Sequence, residues 1–338
     1  MECGTNFVLF LADQTGVKNY TFVDYATQIY SAFVALLVLC FHNGTVPRWE
    51  VILLAHCGGI LFTHWLIQAY AANRQNPVLD FLRHFYPALF YAWFFCETSS
   101  LNRMFFQHYL DPAVIHVEQA VFGCQPAILL MQKLPFLWLS ELLYASYFSY
   151  YIMIAGIGIA LFVRNREQFF HYVSVISFVF YVCYTLYIFV PVIGPRLFFG
   201  ETGGYRLPDE LMALAQGQPL HPASIQNGLF FQLVMWIYEN FETPGAALPS
   251  SHVAVSITTV FFSFLYLRPI RFVHLGVVVL LCISTIFGRY HYAVDVLAGV
   301  IAAAILVPAG NWLFWRYHRQ IPKRSVVMTG THAQASEQ

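Results

Sequence analysis

Long apolar segments separated by short polar breaks dominate this chain of 338 residues. A helix needs about 20 apolar residues to cross a bilayer, because each residue adds about 1.5 Å along the axis. Eight segments approach this length: 25–42, 50–71, 81–98, 136–163, 168–192, 249–267, 271–288 and 292–315. The sequence therefore predicts an all-α, polytopic membrane protein with about eight transmembrane helices.

The composition supports a membrane protein and excludes one class of partner. Charged residues make up 10% of the chain and hydrophobic residues 59%, whereas soluble domains carry about 25% charged residues. The formal net charge is zero, so no basic surface indicates nucleic-acid binding. The seven cysteines include no C-x-x-C pair, and we expect buried, unreactive thiols and no zinc site.

The distribution of positive charge predicts the orientation. With eight crossings, both termini lie on one side, and eleven of the 17 Lys and Arg residues fall there. The positive-inside rule makes that side cytoplasmic. The termini are therefore expected in the cytoplasm, and the opposite face is periplasmic, luminal or extracellular.

Two connections are too long to be simple turns, and each contains an amphipathic stretch. Val114 to Leu134 lies in the connection 99–135, and Asn227 to Phe241 lies in the connection 197–248. We expect both at the membrane interface, either as elements that position a lipid or as plain linkers. Residues 317–338 are polar and basic, which predicts a disordered cytoplasmic tail.

Three short polar motifs lie at ends of apolar segments, and the intervening crossings put them on the same, non-cytoplasmic face. The motifs are Gly194-Pro195-Arg196, Pro249-Ser250-Ser251-His252 and Arg289-Tyr290-His291-Tyr292-Ala293-Val294-Asp295. Each motif alone is typical of helix caps and interfacial anchors. Together they bring two histidines, one carboxylate and two arginines to one site, which favours phosphoryl transfer through histidine.

The spacing of these residues suggests their roles. Asp295 follows His291 by one helical turn, so the carboxylate can orient the imidazole and stabilise its positive charge. His291 is then the candidate nucleophile. His252 follows a helix start and is the candidate general acid. Ser250 and Ser251 add hydroxyl donors to a helix N-terminus that attracts an anion.

The phosphate itself requires cations. Arg196 and Arg289 can each bind it through two parallel hydrogen bonds. This scheme requires no metal or other cofactor, and no His, Asp and Glu spacing indicates a metal site. Glu141 is expected to form a buried contact between helices more than to bind a head group.

These motifs resemble those of the type 2 phosphatidic acid phosphatase superfamily. Pro249-Ser250-Ser251-His252 is similar to its second signature, and the stretch from His291 to Gly299 is similar to its third. The resemblance implies a six-helix core at residues 80–316, a nucleophile at His291 oriented by Asp295, and an acid at His252. The stretch from Pro191 to Arg196, with Glu118 and Phe122-Gly123, resembles the inositol phosphorylceramide synthase branch more closely.

Two departures separate this chain from the widespread family pattern. Phe189 stands where the first signature has a lysine, and the proline precedes Arg196 instead of following it. Ser284-Thr285 stands where the third signature has Ser-Arg, and Arg289 lies only two residues before His291. One phosphate-binding cation is thus replaced and another displaced.

These observations predict a membrane lipid phosphate phosphatase that forms a phosphohistidine on its non-cytoplasmic face. Its substrate is a phosphorylated lipid in the bilayer. The alternatives are a head-group phosphotransferase of the inositol phosphorylceramide synthase type, and a non-enzymatic protein that binds or transports lipid phosphates. Residues 1–79 add two transmembrane helices, residues 80–316 form the catalytic core, and 317–338 form the tail.

Overall fold

A computed structural model describes residues 19–199, 220–241 and 244–320, which form twelve α-helices and one 3-10 turn. The six helices of the N-terminal half are α1 (Phe22–Phe41), α2 (Trp49–Ala72), α3 (Pro77–Leu101), α4 (Asp111–Phe122), α5 (Pro126–Lys133) and α6 (Leu137–Arg164). The remaining six are α7 (Arg166–Phe189), α8 (Pro195–Phe198), α9 (Leu229–Phe241), α10 (Ser251–Tyr266), α11 (Arg271–Phe287) and α12 (Ala293–Gln320). The 3-10 turn is Ala223–Ile225.

The all-helical membrane architecture is confirmed. A helix lies at each of the eight predicted segments, and five of them (α1, α2, α6, α7 and α12) have the length and hydropathy of membrane spans. The bent pair of α4 and α5 raises that number to six if it forms one broken span, and α10 and α11 are shorter apolar helices. Eight crossings stay a prediction.

Several predicted boundaries differ from the observed ones. The polar break before the third segment is a helix start: the Asn76 side chain accepts hydrogen bonds from the amides of Val78 and Leu79, and Pro77 lacks the amide that a first helical residue leaves unpaired. α7 ends at Phe189 because Pro191 disfavours helix at the residue before it.

The two amphipathic stretches are helical, and one assignment at the C-terminus was wrong. Val114 to Leu134 forms parts of α4 and α5, which meet at an angle of 66° after Gly123 adopts a left-handed conformation. Asn227 to Phe241 contains α9. α12 continues to Gln320, so the first four residues of the predicted disordered tail are helical. The rest of that tail lies outside the described residues.

Helix α7 is the centre of the bundle. It packs against α1, α3, α6, α10 and α12. Within the 18 consecutive residues that form its most apolar stretch, 72% of the residues are buried. Its aromatic side chains, including Tyr172, Tyr181, Tyr184 and Tyr187, belong to the main hydrophobic core. The helices that carry the polar motifs are therefore held by packing on one shared axis.

The N-terminal helix is joined to the bundle by a buried ion pair. The Asp24 carboxylate of α1 accepts a hydrogen bond of 2.5 Å from Arg83 and one of 2.6 Å from the Tyr86 hydroxyl, both on α3. It also caps its own helix through the Thr21 amide at 2.6 Å. These partners replace the hydrogen bonds to water that the Asp24 carboxylate loses on burial, which lowers the cost of placing the ion pair in the apolar interior.

We predict that removing one member of this pair destabilises the protein far more than removing both. Asp24→Asn leaves Arg83 buried without its counter-charge, which costs about 3–5 kcal/mol, whereas the double variant Asp24→Asn, Arg83→Met recovers most of this loss. Thermal unfolding in detergent measures the effect.

Arg166→Met is the control for this comparison, because it breaks a partly exposed pair with Asp80 at 3.1 Å. It should cost at most about 1 kcal/mol. Equal destabilisation by Asp24→Asn and Arg166→Met would contradict the role assigned to the buried pair.

Candidate active site

Three backbone hydrogen bonds join the three polar motifs. The Arg196 amide donates to the Arg289 carbonyl at 2.7 Å, and the Ser250 amide donates to the Asp295 carbonyl at 3.1 Å. The Ala247 amide, just before the second motif, donates to the Val192 carbonyl, just before the first, at 3.0 Å. Segments far apart in sequence thus meet at one end of the bundle.

The two residues of the third motif that sequence spacing paired are in contact. His291 lies in the turn between α11 and α12, and Asp295 lies in the first turn of α12. His291 Nδ1 is 3.5 Å from Asp295 Oδ2, slightly beyond a good hydrogen bond. Asp295 Oδ2 also accepts the Tyr292 amide at 2.9 Å, which holds the carboxylate in place.

His291 is almost fully buried. Burial lowers its pKa to about 4 from the usual 6.5, since a charged imidazole loses its hydration there. The ring is therefore neutral near pH 7. A neutral imidazole retains a lone pair that can attack an electrophile.

The second histidine lies directly against the first. His252, in the first turn of α10, has its Nδ1 3.3 Å from His291 Nε2. Its Nε2 lies 3.0 Å from the Tyr147 hydroxyl of α6, and that hydroxyl contacts the Tyr238 hydroxyl of α9. A chain of polar groups thus leads from His291 through His252 to two tyrosines.

Arg196 faces this group from the short helix α8. Its guanidinium carbon lies 4.7 Å from the centre of the Tyr238 ring and 6.0 Å from that of Tyr290. Those two rings stack with centroids 4.3 Å apart. The tyrosines hold a cation beside the histidines through its attraction to their ring faces.

Arg289 has an unusual backbone and an unsatisfied side chain. It is the one non-glycine residue with positive φ in the described part of the chain, at 61°. The side chain is buried, which lowers its pKa, and its Nε and Nη2 have no hydrogen-bond partner among the described residues. A buried guanidinium with free donors suits an anion.

The two serines have structural partners. Ser250 is the N-cap of α10, and its side chain accepts the Val253 amide at 3.4 Å. The Ser251 amide donates to the Tyr187 hydroxyl of α7 at 3.0 Å. Both serines fix the start of α10, and Ser251 also lines the cavity beside His252.

The site opens into a cavity of about 720 Å³. Arg196, Ser251, His252 and His291 line it, whereas Arg289 is not among its lining residues. In residues 19–199, 220–241 and 244–320, no group of three or more His, Cys, Asp or Glu side chains is arranged to hold a metal ion.

Asp111 connects two of the motifs, and sequence spacing did not indicate it. Its carboxylate accepts the amides of Ile193 and Gly194, each at 2.9 Å, and the Tyr292 hydroxyl at 3.0 Å. Asp111 opens α4, in the same connection as Glu118 and Phe122-Gly123 but seven residues before Glu118. Only its position before Pro112, as a helix-start signal, was visible in the sequence.

Two glutamates serve as caps. Glu118, buried on α4, accepts the Val294 amide at 3.4 Å, at the start of the helix that carries Asp295. Glu141 accepts the amides of Phe230 and Phe231 at 3.0 and 3.1 Å, so it holds the first turn of α9. This agrees with the expected contact between helices for Glu141.

Gly194 allows the first motif to approach the third. Its φ is +89°, and a Cβ there would lie 2.6 Å from the Tyr290 carbonyl oxygen. We predict that Gly194→Ala lowers the unfolding temperature and displaces His291, because a backbone strain of about 1–2 kcal/mol adds to a steric clash.

Gly123→Ala is the control for a positive φ without a clash: φ is +67°, ψ is 5° against 162° at Gly194, and nothing lies within 4 Å of the added carbon. Thermal unfolding of both variants separates the strain from the clash. Similar losses in the two variants would contradict the close approach at Gly194.

A comparison with known families identifies the fold to which this site belongs. A family model described as the PAP2 superfamily matches residues 112–309, which include all three motifs. No curated protein and no solved structure matches the chain. Since the match covers more than half of the chain, the chain belongs to the PAP2 superfamily, the type 2 phosphatidic acid phosphatases that its motifs resemble.

Proposed function

We propose that this protein is a lipid phosphate phosphatase that acts through a phosphohistidine at the non-cytoplasmic face of its membrane. Family membership supports a phosphatase-like role on lipid phosphates. The observation that carries the finer proposal is the contact of His291 with Asp295 on one side and His252 on the other, beside Arg196 in a shared cavity.

In the first step, His291 Nε2 attacks phosphorus while Asp295 stabilises the charge that develops on the ring. A P–N bond forms, and the bond from phosphorus to the lipid oxygen breaks. His252 donates its proton to that departing oxygen. The negative charge of the bound phosphate favours protonated His252.

In the second step, water attacks the phosphorus of phosphohistidine. His252, now neutral, accepts the proton of the water, and the P–N bond breaks. Inorganic phosphate leaves, and His291 returns to its neutral form. Arg196 and Arg289 stabilise the charge on the phosphate oxygens in both steps.

Substrate binding must separate the two histidines. Reacting atoms approach to about 3–3.5 Å before reaction, yet His252 Nδ1 already lies 3.3 Å from His291 Nε2. Phosphorus and its leaving oxygen cannot fit between nitrogens so close together. Rotation of His252 away from His291, towards Tyr147 and Tyr150, makes room for them.

A head-group phosphotransferase is the second candidate, and the form of the first motif favours it. The first step is identical, but the hydroxyl of a lipid or sugar replaces water in the second. The stretch from Pro191 to Arg196, with Glu118 and Phe122-Gly123, is similar to the inositol phosphorylceramide synthase branch. The product distinguishes the two: free phosphate for hydrolysis, a new phospholipid for transfer.

We predict that His291→Ala abolishes turnover of lipid phosphates in the presence of EDTA, because the variant lacks the proposed nucleophile that forms the covalent intermediate. Phosphatidic acid, polyprenyl diphosphate, and phosphatidylinositol with ceramide are suitable substrates, with phosphate and lipid products followed by mass spectrometry. Rapid quenching of the wild type should trap a labelled phosphohistidine at position 291.

His116→Ala, on the exposed face of α4, controls for the loss of a histidine and should retain full activity. Unchanged turnover in His291→Ala would disprove the histidine mechanism. A wild type that binds lipid phosphates without any adduct or product would favour the non-enzymatic alternative.

We also predict that Arg289→Lys lowers kcat/KM by roughly 10- to 100-fold, since a lysine cannot replace a two-pronged guanidinium contact, and one charge-assisted hydrogen bond contributes about 1.5–3 kcal/mol. Arg103→Lys, at an exposed position, is the matched control. Steady-state kinetics on the same lipid measure both. Near-normal turnover of Arg289→Lys would contradict the assignment of Arg289 to the phosphate site.

A further inference from the structure

The cavity that contains the candidate site continues along the bundle as a groove. Helices α3 and α6 both pack against α7, and residues of all three helices line the cavity. α3 and α6 form its walls and α7 its floor. The lining is overwhelmingly apolar away from the histidines and Arg196.

Small side chains give the groove its width. Ala88, Ala92 and Cys96 follow one another at every fourth position on α3, and all three are exposed. Ala155 and Gly158 line the opposite wall on α6. Ala88, Ala92, Cys96 and Ala155 are exposed, whereas Gly158 is buried. Because exposed residues of an apolar bundle face lipid, the groove is open to the lipid phase along its side.

The groove is longer than one leaflet of a bilayer. Fifteen residues separate Phe169, at the far end, from Tyr184 on α7, which corresponds to about 22 Å at 1.5 Å per residue. Half of the hydrocarbon core of a bilayer measures about 15 Å. A chain that fills the groove therefore passes the level at which ordinary acyl chains end.

An aromatic cluster closes the far end. The Phe85 ring lies 4.9 Å from that of Phe162 and 5.4 Å from that of Phe169. His84 contacts Phe162 at 5.1 Å between centroids and is hydrogen-bonded to the Asp80 carbonyl at 2.7 Å. The walls formed by α3 and α6 meet here, and the polar His84 ring and Asp80 carbonyl lie next to the aromatic rings.

The chemistry at the two ends identifies the occupant. One end offers Arg196, His252 and His291, which suit a phosphate, and the other end is blocked by the ring cluster of Phe85, Phe162 and Phe169. We propose that the groove holds one hydrocarbon chain of the phosphorylated lipid, and that Phe85, Phe162 and Phe169 set the longest chain that fits. This inference rests on the proposed function and names its substrate class: lipid phosphates with a chain that extends past the membrane midplane.

The groove acts by steric fit. A lipid chain that leaves the bilayer for the groove exchanges one apolar environment for another, so burial contributes little affinity. The groove instead restricts the position and orientation of the lipid, which brings its phosphate to His291. Activity should therefore be retained up to a limiting chain length and fall sharply beyond it.

Blocking the groove at different depths tests this inference. Ala88 lies eight residues, or about 12 Å, farther from the site than Cys96. Ala88→Phe should lower kcat/KM for palmitoyl lysophosphatidic acid by about tenfold or more and leave decanoyl lysophosphatidic acid nearly unchanged. Cys96→Phe should impair both substrates. Phe85→Ala opens the far end and should extend activity to a lignoceroyl chain.

The control is Ala304→Phe, which places the same ring on an exposed position of α12 outside the cavity. It should behave as wild type on every chain length, and unfolding temperatures identify any variant that fails to fold. Equal effects of Ala88→Phe on the decanoyl and palmitoyl substrates, or no effect on either, would overturn the inference.

A second measurement separates this inference from the proposed function. Lysophosphatidic acid with a diazirine near the chain terminus is photo-crosslinked to His291→Ala, and the labelled peptides are mapped. Labels near Ala88 on α3 or Ala155 on α6 would support the groove, even if the wild type released no phosphate. The lack of phosphate release would disprove the phosphatase activity but not the groove. Labels confined to other helices would overturn the groove.

Discussion

Backbone hydrogen bonds between distant loops are the interaction on which this site depends. In an apolar bundle, a main-chain amide or carbonyl that leaves a helix must find a partner within the protein. The loops that carry Arg196, Ser250 and Arg289 satisfy one another, and Asp111 satisfies two further amides. The requirement to pair these groups also brings the histidines and arginines together.

Local patterns in the sequence predicted the fold and the central residues of the site because they depend on short-range geometry. Apolar length located the helices, and the four-residue spacing paired His291 with Asp295. Asp111 and Tyr147 were not predicted, since their partners lie on helices distant in sequence. The helical start of the predicted tail was missed because α12 continues past its apolar segment, where the Tyr317 hydroxyl donates to the carbonyl of Tyr20, a residue distant in sequence.

The family match covers only part of the groove. The family match begins at residue 112, so it includes the three motifs and α7 but neither α3 nor the ion pair of Asp24 with Arg83. The groove has one wall inside that match and one outside it. In our proposal, the matched region carries the chemistry, and α3, which precedes the match, helps to determine which lipid chain reaches it.

The cap at Glu141 has a mechanical consequence. It holds the first turn of α9 to α6 through the amides of Phe230 and Phe231, while Tyr238, seven residues after Phe231, contacts Tyr147 of α6 and the Arg196 guanidinium. The helix is thus joined to α6 at two points about 10 Å apart along its axis, with Val234 buried between them. Because both points lie on α6, the direction of that one helix sets where the Tyr238 ring lies over the arginine.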